Sequence, residues 1–373
     1  MKFETKAIHS GLEIGNPSKA IIPPISPSTI FEIDASGRNE DDLHYTRLGN
    51  PNRMQFEHLV ATLEGGEAAA AFSSGIAAAS AVLQSLDPGD HIIIPEDVYA
   101  GNRKLVKEIM MRWGLDASFI NMTSVETVAD HIKPKTKLIW IETPSNPLMR
   151  ITDIRAVSEL AKEKKIRTLV DNTWPTPVNQ LPLELGADLV LHSTSKYFGG
   201  HNDILGGAIV TKSADSFFER IQTVQKMGGA VPSPQDCWML SRSTRTLAYR
   251  MRGHNEHAFK VARFLQDHDR IAEVWYPGLE SHEGHVVAKK QMSGFGGMVS
   301  FLVNGSSKDA IQIVGSSNLI KRATSLGGVK STWEHRQSSE GEGSVTPETL
   351  IRISVGLEHI DDILEDLEQA LRK

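Results

Sequence analysis

Short apolar runs alternate with amphipathic stretches through the middle of the chain. Ile92-Ile93-Ile94, Leu138-Ile139-Trp140-Ile141, Thr168-Leu169-Val170 and Asp188-Leu189-Val190-Leu191-His192 read as strands, and helical patterns such as Ile154 to Lys165 separate them. Near-continuous apolar strands spaced by helices predict a parallel sheet covered on both faces. Glu64-Gly65-Gly66-Glu67 opens this region, and Ala68 to Leu86 reads as an alanine-rich helix. The alternation holds from about 50 to 248. From 249 the pattern becomes a long helix, strands near Met298–Leu302 and Leu350–Val355, and a closing helix from Ile360 to Arg372. The expected fold class is therefore α/β: a mostly parallel sheet covered by helices over 51–248, with a smaller C-terminal α/β domain over 249–373. Residues 1–50 are rich in Pro, Ser and Gly, as in Ile21-Ile22-Pro23-Pro24-Ile25-Ser26-Pro27, and are too irregular for a core element. They form either a disordered tail or an arm. Ser338 to Ser344 reads as a loop.

Composition narrows the class. A chain of 373 residues with 40% hydrophobic and 23% charged residues can bury a large core and divide into two domains. Its net charge of −6 leaves no basic footprint, so nucleic acid is not an expected partner. The one cysteine, Cys237, cannot form an intrachain disulfide and is expected as a buried thiol. No apolar run approaches about 18 residues, which argues against a membrane span. Charges at Lys2, Glu4 and Lys6 interrupt any secretory apolar core, so a cytoplasmic location is expected.

Candidate chemistry collects at one edge. Ligands of open α/β sheets bind beyond the carboxyl ends of the strands. Glu142, Asp171 and the run Ser193-Thr194-Ser195-Lys196 each follow directly on a predicted strand. A lysine among small hydroxyl residues suits covalent attachment of pyridoxal 5'-phosphate, and an aspartate at a strand end suits its pyridine nitrogen. Ser73-Ser74-Gly75-Ile76 precedes a helix, where free N–H groups of Gly75 and Ile76 can hold phosphate, although a serine there is more commonly a plain N-cap. The hydroxyls of Ser193 and Ser195 add phosphate ligands. Arg352 lies in an apolar strand and needs a ligand or an ion-pair partner.

Other motifs fail on spacing. Gly327-Gly328-Val329-Lys330-Ser331 lacks the glycine before the lysine that a P-loop requires, and Gly294-Phe295-Gly296-Gly297 lacks dinucleotide-fold spacing. His254-Asn255-Glu256-His257 and His282-Glu283-Gly284-His285 lack zincin spacing, so no metal is expected. Ala71-Phe72-Ser73-Ser74-Gly75 places alanine where a nucleophile elbow has its first glycine.

Many ordered motifs carry a resemblance. They include Thr5-Lys6-Ala7-Ile8-His9-Ser10-Gly11, Tyr45-Thr46-Arg47, Phe72-Ser73-Ser74-Gly75, Glu142-Thr143-Pro144-Ser145-Asn146-Pro147, and Val170-Asp171-Asn172-Thr173. Further along are Tyr276-Pro277-Gly278-Leu279, Gln291-Met292-Ser293-Gly294-Phe295-Gly296-Gly297, and Arg352-Ile353-Ser354-Val355-Gly356-Leu357-Glu358. The chain resembles the Cys/Met-metabolism family of pyridoxal-phosphate enzymes nearly end to end. The resemblance implies an aspartate-aminotransferase-like (fold type I) architecture and a homotetramer, built as a dimer of dimers, whose N-terminal arm embraces a neighbouring subunit. It implies that Lys196 carries the cofactor, with Asp171, Thr173, Ser193, Ser195, Gly75 and Ile76 around it. Tyr99 would stack on the ring and aid proton transfer, whereas a lone tyrosine is by default a core aromatic. Tyr45 and Arg47 would reach the phosphate of the adjacent subunit, with Tyr45 also near substrate. Arg352 would bind the substrate α-carboxylate with Asn146 and the backbone around Ser325.

The expected activity is γ-elimination or γ-replacement on a homoserine- or cystathionine-type amino acid. Methionine γ-lyase, cystathionine β-lyase and lyase chemistry on another γ-substituted homoserine such as canavanine are alternatives, and an aminotransferase is the reading from a different class. The chain departs from the family pattern in several places. Thr194-Ser195 stands for Ala-Thr, Ala100-Gly101-Asn102 for Gly-Gly-Thr, and Trp333-Glu334-His335-Arg336 for a His-Pro-Ala-like stretch. Lys330 stands where many relatives have Glu, so either it faces the leaving group or it points to solvent. The sequence leaves open whether Lys330, His335 and Arg336 face the substrate.

Overall fold

The computed structural model describes residues 1–37, 43–340 and 346–372. Two sheets organise it. The larger has seven strands: β1 (Ala68–Phe72), β2 (His91–Pro95), β3 (Asp116–Ile120), β4 (Thr136–Glu142), β5 (Arg167–Asp171), β6 (Leu189–His192) and β7 (Gly207–Thr211), in the order β1-β7-β6-β5-β4-β2-β3. Pairing is parallel from β6 through β5, β4 and β2 to β3, while β7 runs antiparallel to both β1 and β6. The sheet is thus mostly parallel, as the apolar runs predict. Along β4, Leu138 and Trp140 enter one hydrophobic cluster while Ile139 and Ile141 enter another. Helices bury both faces, and so β4 shows no polar alternation.

Ala68–Phe72 is a strand, not the start of a helix. The helix runs from Gly75 to Gln84. Alanine favours helix only weakly, and tertiary context overrides it here. β1 pairs with β7, and Ala69 and Ala71 pack into one cluster while Ala70 packs into another, so small residues suit a crowded strand buried on both sides.

The second sheet contains β8 (Ile271–Trp275), β9 (Met298–Val303), β10 (Lys321–Arg322), β11 (Thr332–His335) and β12 (Leu350–Ser354), in the order β10-β11-β12-β9-β8. The long helix Leu247–Gln266 leads into it and the helix Ile360–Leu371 closes it. Within the expected loop at 338–344, Ser338 to Glu340 belong to a helical turn, Arg336–Glu340, and 341–344 lie outside the described residues.

The N-terminal segment is tied to the rest of the chain at several points. Trp238 Nε1 donates to the Pro23 carbonyl (2.9 Å), Asn52 Nδ2 donates to that of Pro24 (2.9 Å), and Ser26 N donates to Asn52 Oδ1 (2.8 Å). Ile21, Ile22 and Ile30 nevertheless stand 87, 62 and 70% exposed. Cys237 is buried, and burial pushes its thiol up. Among the described residues no helix is long and apolar enough to cross a membrane.

Candidate active site

The carboxyl ends of β4, β5 and β6 deliver Glu142, Asp171 and the Ser193–Lys196 turn to one place. In-register pairing sets Glu142 beside Asp171 and Asp171 beside Leu191. Together with the start of helix Gly75–Gln84 and part of the second sheet, they line a cavity of about 490 Å³. Gly75, Ile76, Tyr99, Asn146, Asp171, Thr173, Ser193, Ser195, Lys196, Ser325 and Arg352 all line it. Tyr45, Arg47 and Lys330 do not. Tyr45 is 40% exposed, and Arg47 donates to the Lys226 carbonyl (2.7 Å) with its guanidinium 5.5 Å from the Tyr45 ring. Lys330 is exposed. Of the three residues the sequence leaves open, only Arg336 lines the cavity; His335 is held by Ser338 and the Glu348 carbonyl.

One end of the cavity is built for close approach. Ser74 caps the helix by accepting from Ala77 N (3.1 Å), which leaves the first N–H groups, Gly75 and Ile76, without acceptors in the helix. A Cβ at Gly75 would sit 2.8 Å from Ser193 Cβ, so a side chain there would fill the cradle. Ser193 N donates to Thr173 Oγ1 (2.9 Å), tying the turn after β6 to the turn after β5. Ser195 Oγ accepts from Gly206 N (2.9 Å), which fixes its orientation.

At the other end, Asp171 is buried and accepts from Thr173 N (3.0 Å). Burial pushes its carboxyl up, because no lysine or arginine pairs with it among the described residues. Glu142 is pushed up further, by burial and then by the charge of Asp171 beside it. Two adjacent buried carboxyls disfavour ionisation of both at once, and the upward push is stronger on Glu142. A buried aspartate at this strand end suits a pyridine nitrogen. Glu142 Oε2 also accepts from Tyr99 N (3.1 Å), which fixes the segment carrying Tyr99, and Gly101 leaves room for that ring, which a Cβ would approach to 2.5 Å. The glycine cradle, the hydroxyls and the buried Asp171 fit pyridoxal phosphate.

Lys196 Nζ donates to Ser325 Oγ (2.6 Å). Burial, then the Arg352 guanidinium, pushes the amine down to about 8, against a smaller opposing pull from Glu334. Ser325 has φ +82°, a left-handed conformation rare outside glycine, and places its carbonyl 3.4 Å from Arg352 Nη2. Arg352 Nη1 donates to Asn146 Oδ1 (2.6 Å), and its guanidinium lies 5.8 Å from the Trp174 ring. Arg352 also pairs with Glu334, which lies directly across from it in the β11–β12 ladder.

The pKa of Lys196 has a measurable consequence. Capture of the cofactor needs the neutral amine, so its rate in the apoprotein should rise about tenfold per pH unit and level off near pH 8. An ordinary lysine would level off near 10.5, so a stopped-flow profile still climbing at pH 9.5 would contradict this burial.

The sequence reading missed Glu334, Glu340 and Trp174. Trp174 follows Thr173 directly and could have been found by extending the strand-end rule. Glu334 depends on a register that the sequence does not display.

The profile of the family described as Cys/Met metabolism PLP-dependent enzyme matches residues 4–372. The chain is 43% identical over 373 residues to a cystathionine gamma-synthase of Mycobacterium tuberculosis, covering 98% of this chain and 96% of that one. It is 41% identical over 380 residues to a cystathionine gamma-lyase of Bacillus subtilis, covering 100% and 99%. Among solved structures, that of metB from Corynebacterium glutamicum superposes with a TM-score of 0.97 at 42% identity, covering 100% of this chain and 98% of that one.

Proposed function

The chain belongs to the Cys/Met metabolism family of pyridoxal-phosphate-dependent enzymes, and from that premise we propose that it catalyses γ-elimination or γ-replacement on a homoserine- or cystathionine-type amino acid. The observation that carries this is the amine of Lys196, lowered to about 8, in the same cavity as Arg352. One group binds a substrate carboxylate and the other is free to move protons near it. The relatives named cystathionine gamma-synthase and gamma-lyase support the reaction class.

The N–H groups of Gly75 and Ile76 and the hydroxyls of Ser193 and Ser195 would hold the phosphate, Asp171 the ring nitrogen, Tyr99 the ring face, and Lys196 the aldehyde carbon. When bound, pyridoxal phosphate supplies an electron sink for negative charge developing at Cα of an attached amino acid. Arg352, oriented by Asn146 and the Ser325 carbonyl, binds the α-carboxylate as a charge-assisted pair. Ser325 Oγ accepts from the free Lys196 amine (2.6 Å), which would hold that amine at the cavity wall. From there Lys196 would take the proton from Cα, pass it to C4′ of the bound cofactor so that its amine is neutral again, and then take one from Cβ, whose loss lets the γ-substituent leave with its bonding electrons. Asp171, at the buried end of β5, would hold a positive charge on the far side of the cavity.

Tyr45 and Arg47 lie outside this chain's own cavity, and the exposed isoleucines of the arm offer an apolar contact surface. These placements support a homo-oligomer in which Tyr45 and Arg47 complete a neighbour's phosphate site.

Product analysis tests the reading. The holoenzyme is offered cystathionine, methionine, canavanine, and O-acetyl-, O-succinyl- and O-phosphohomoserine, each with and without cysteine. A 2-oxo acid with ammonia, or a new thioether, is the expected product. Amino transfer without loss of a γ-substituent would instead mark an aminotransferase.

A further inference from the structure

The segment that follows β4 carries Asn146, and two residues buried behind the cavity give that segment its shape. Ser145 closes the stretch 145–150 on itself three times. Its N donates to the Arg150 carbonyl (3.0 Å), its own carbonyl accepts from Met149 N (3.0 Å), and its Oγ accepts from Arg150 N (3.0 Å). The same Oγ donates to Oδ2 of Asp97, which lies just beyond β2. Asp97 and Ser145 are each 2% exposed, and neither lines the cavity. Met149, at φ +58°, sits in the left-handed region, which its surroundings must impose. An ion pair from Arg150 Nη1 to Glu96 Oε1 (2.6 Å) adds a second tie between the two segments.

That shape places Asn146, the next residue along. The Pro147 carbonyl accepts from Ser300 Oγ (2.8 Å), and Ser300 lies directly across from Arg352 in the β9–β12 ladder. The stretch is thus docked beside Arg352, and Asn146 Oδ1 accepts from Arg352 Nη1 (2.6 Å). Burial pushes the Asp97 carboxyl up, and the Ser145 hydroxyl, then the Arg150 guanidinium, pull it part of the way back. A carboxyl and a hydroxyl hidden this deeply are costly unless each meets a partner. Here they meet each other, and what their contact fixes is the backbone next to Asn146.

We propose that Asp97 and Ser145 are positioning residues for the carboxylate site: by fixing the backbone beside Asn146, they hold the Arg352 guanidinium where a substrate α-carboxylate meets it. This rests on the reading of Arg352 given above. Neither residue touches the substrate. Their contribution is order imposed before binding, which spares the long arginine side chain from being ordered by the ligand. It therefore shows as affinity for the carboxylate, whatever tail the ligand carries. It also depends on the hydrogen bond more than on charge at Asp97, because asparagine offers the Ser145 hydroxyl a carbonyl oxygen in the same place.

The test compares L-alanine with ethylamine on holoenzyme. Both probes bring an amine, and only alanine brings a carboxylate. Neither has a γ-substituent, so the outcome is independent of which γ-reaction the enzyme performs. Dissociation constants are read from titration of the bound-cofactor absorbance, and that of pyridoxal phosphate itself is read on the apoprotein. In Ser145→Ala and in Asp97→Ala the preference for alanine over ethylamine should fall about tenfold, as for loss of a hydrogen bond that supports a charged contact. The double variant should fall no further than either single one, since both remove the same contact. Asp97→Asn should keep the preference within about threefold. Affinities for ethylamine and for the cofactor should stay within about threefold throughout. Alanine, ethylamine and cofactor weakening together would make the pair merely structural and overturn the proposal. Should Ser145→Ala not fold, Ser145→Cys keeps the volume and weakens the donor, and the direction of its shift decides. A wild type without the preference would overturn the reading of Arg352 and the proposal with it. A wild type with the preference, and variants that keep it, would overturn the proposal alone.

Discussion

Lys196→Ala should lose turnover by about a thousandfold or more while still taking up pyridoxal phosphate weakly. The residue combines two tasks that no neighbour duplicates. On the proposed reading it supplies the amine that attaches the cofactor and moves protons at Cα and Cβ. The phosphate cradle proposed at Gly75, Ser193 and Ser195 does not depend on it, so weak uptake should persist. The check is borohydride reduction of the yellow holoenzyme, followed by peptide mass mapping. In the wild type the reduced adduct should lie on Lys196, and in the variant it should be absent from that peptide. Among the described residues, Lys104 is the other lysine lining the cavity. An adduct found there in the wild type would sink the assignment of Lys196.

The strand-end rule made Glu142, Asp171 and Lys196 legible, because apolar runs mark strand ends without reference to the rest of the fold. Arg352 was legible as a charge in an apolar strand, although nothing local shows which group it meets. Its neighbour Glu334 follows from antiparallel pairing of β11 with β12, and no sequence pattern sets that register. The four alanines of β1 misled for a related reason: local propensity favours helix there, and only the neighbouring strand overrides it. Lys330 differs again. Its charge stands out against the family pattern, yet exposure places it outside the cavity, while Arg336, six residues on, carries its charge inside. A substitution in sequence identifies an unusual charge; the direction of its side chain is decided by packing.

Two impaired variants, Arg47→Ala and Lys196→Ala, should regain activity when mixed, unfolded and reassembled together. Arg47 does not line this chain's cavity, and its guanidinium turns instead to the Lys226 carbonyl and the Tyr45 ring. If it serves the phosphate of an adjacent subunit, each site needs Arg47 from one chain and Lys196 from another. In a hybrid dimer unit, one site inherits both defects and the other inherits none. Random pairing makes half of the units hybrids with one sound site in two, so recovery should reach about a quarter of wild-type activity. Arg47→Ala alone should lower activity about tenfold to a hundredfold, the worth of a charge-assisted phosphate contact, and excess cofactor should restore part of it. The decisive comparison is the mixture against the sum of the two variants treated separately, with light scattering confirming reassembly. A reassembled oligomer with no gain over that sum would place Arg47 in its own subunit's chemistry or in none, and a fully active monomer would remove the shared site altogether.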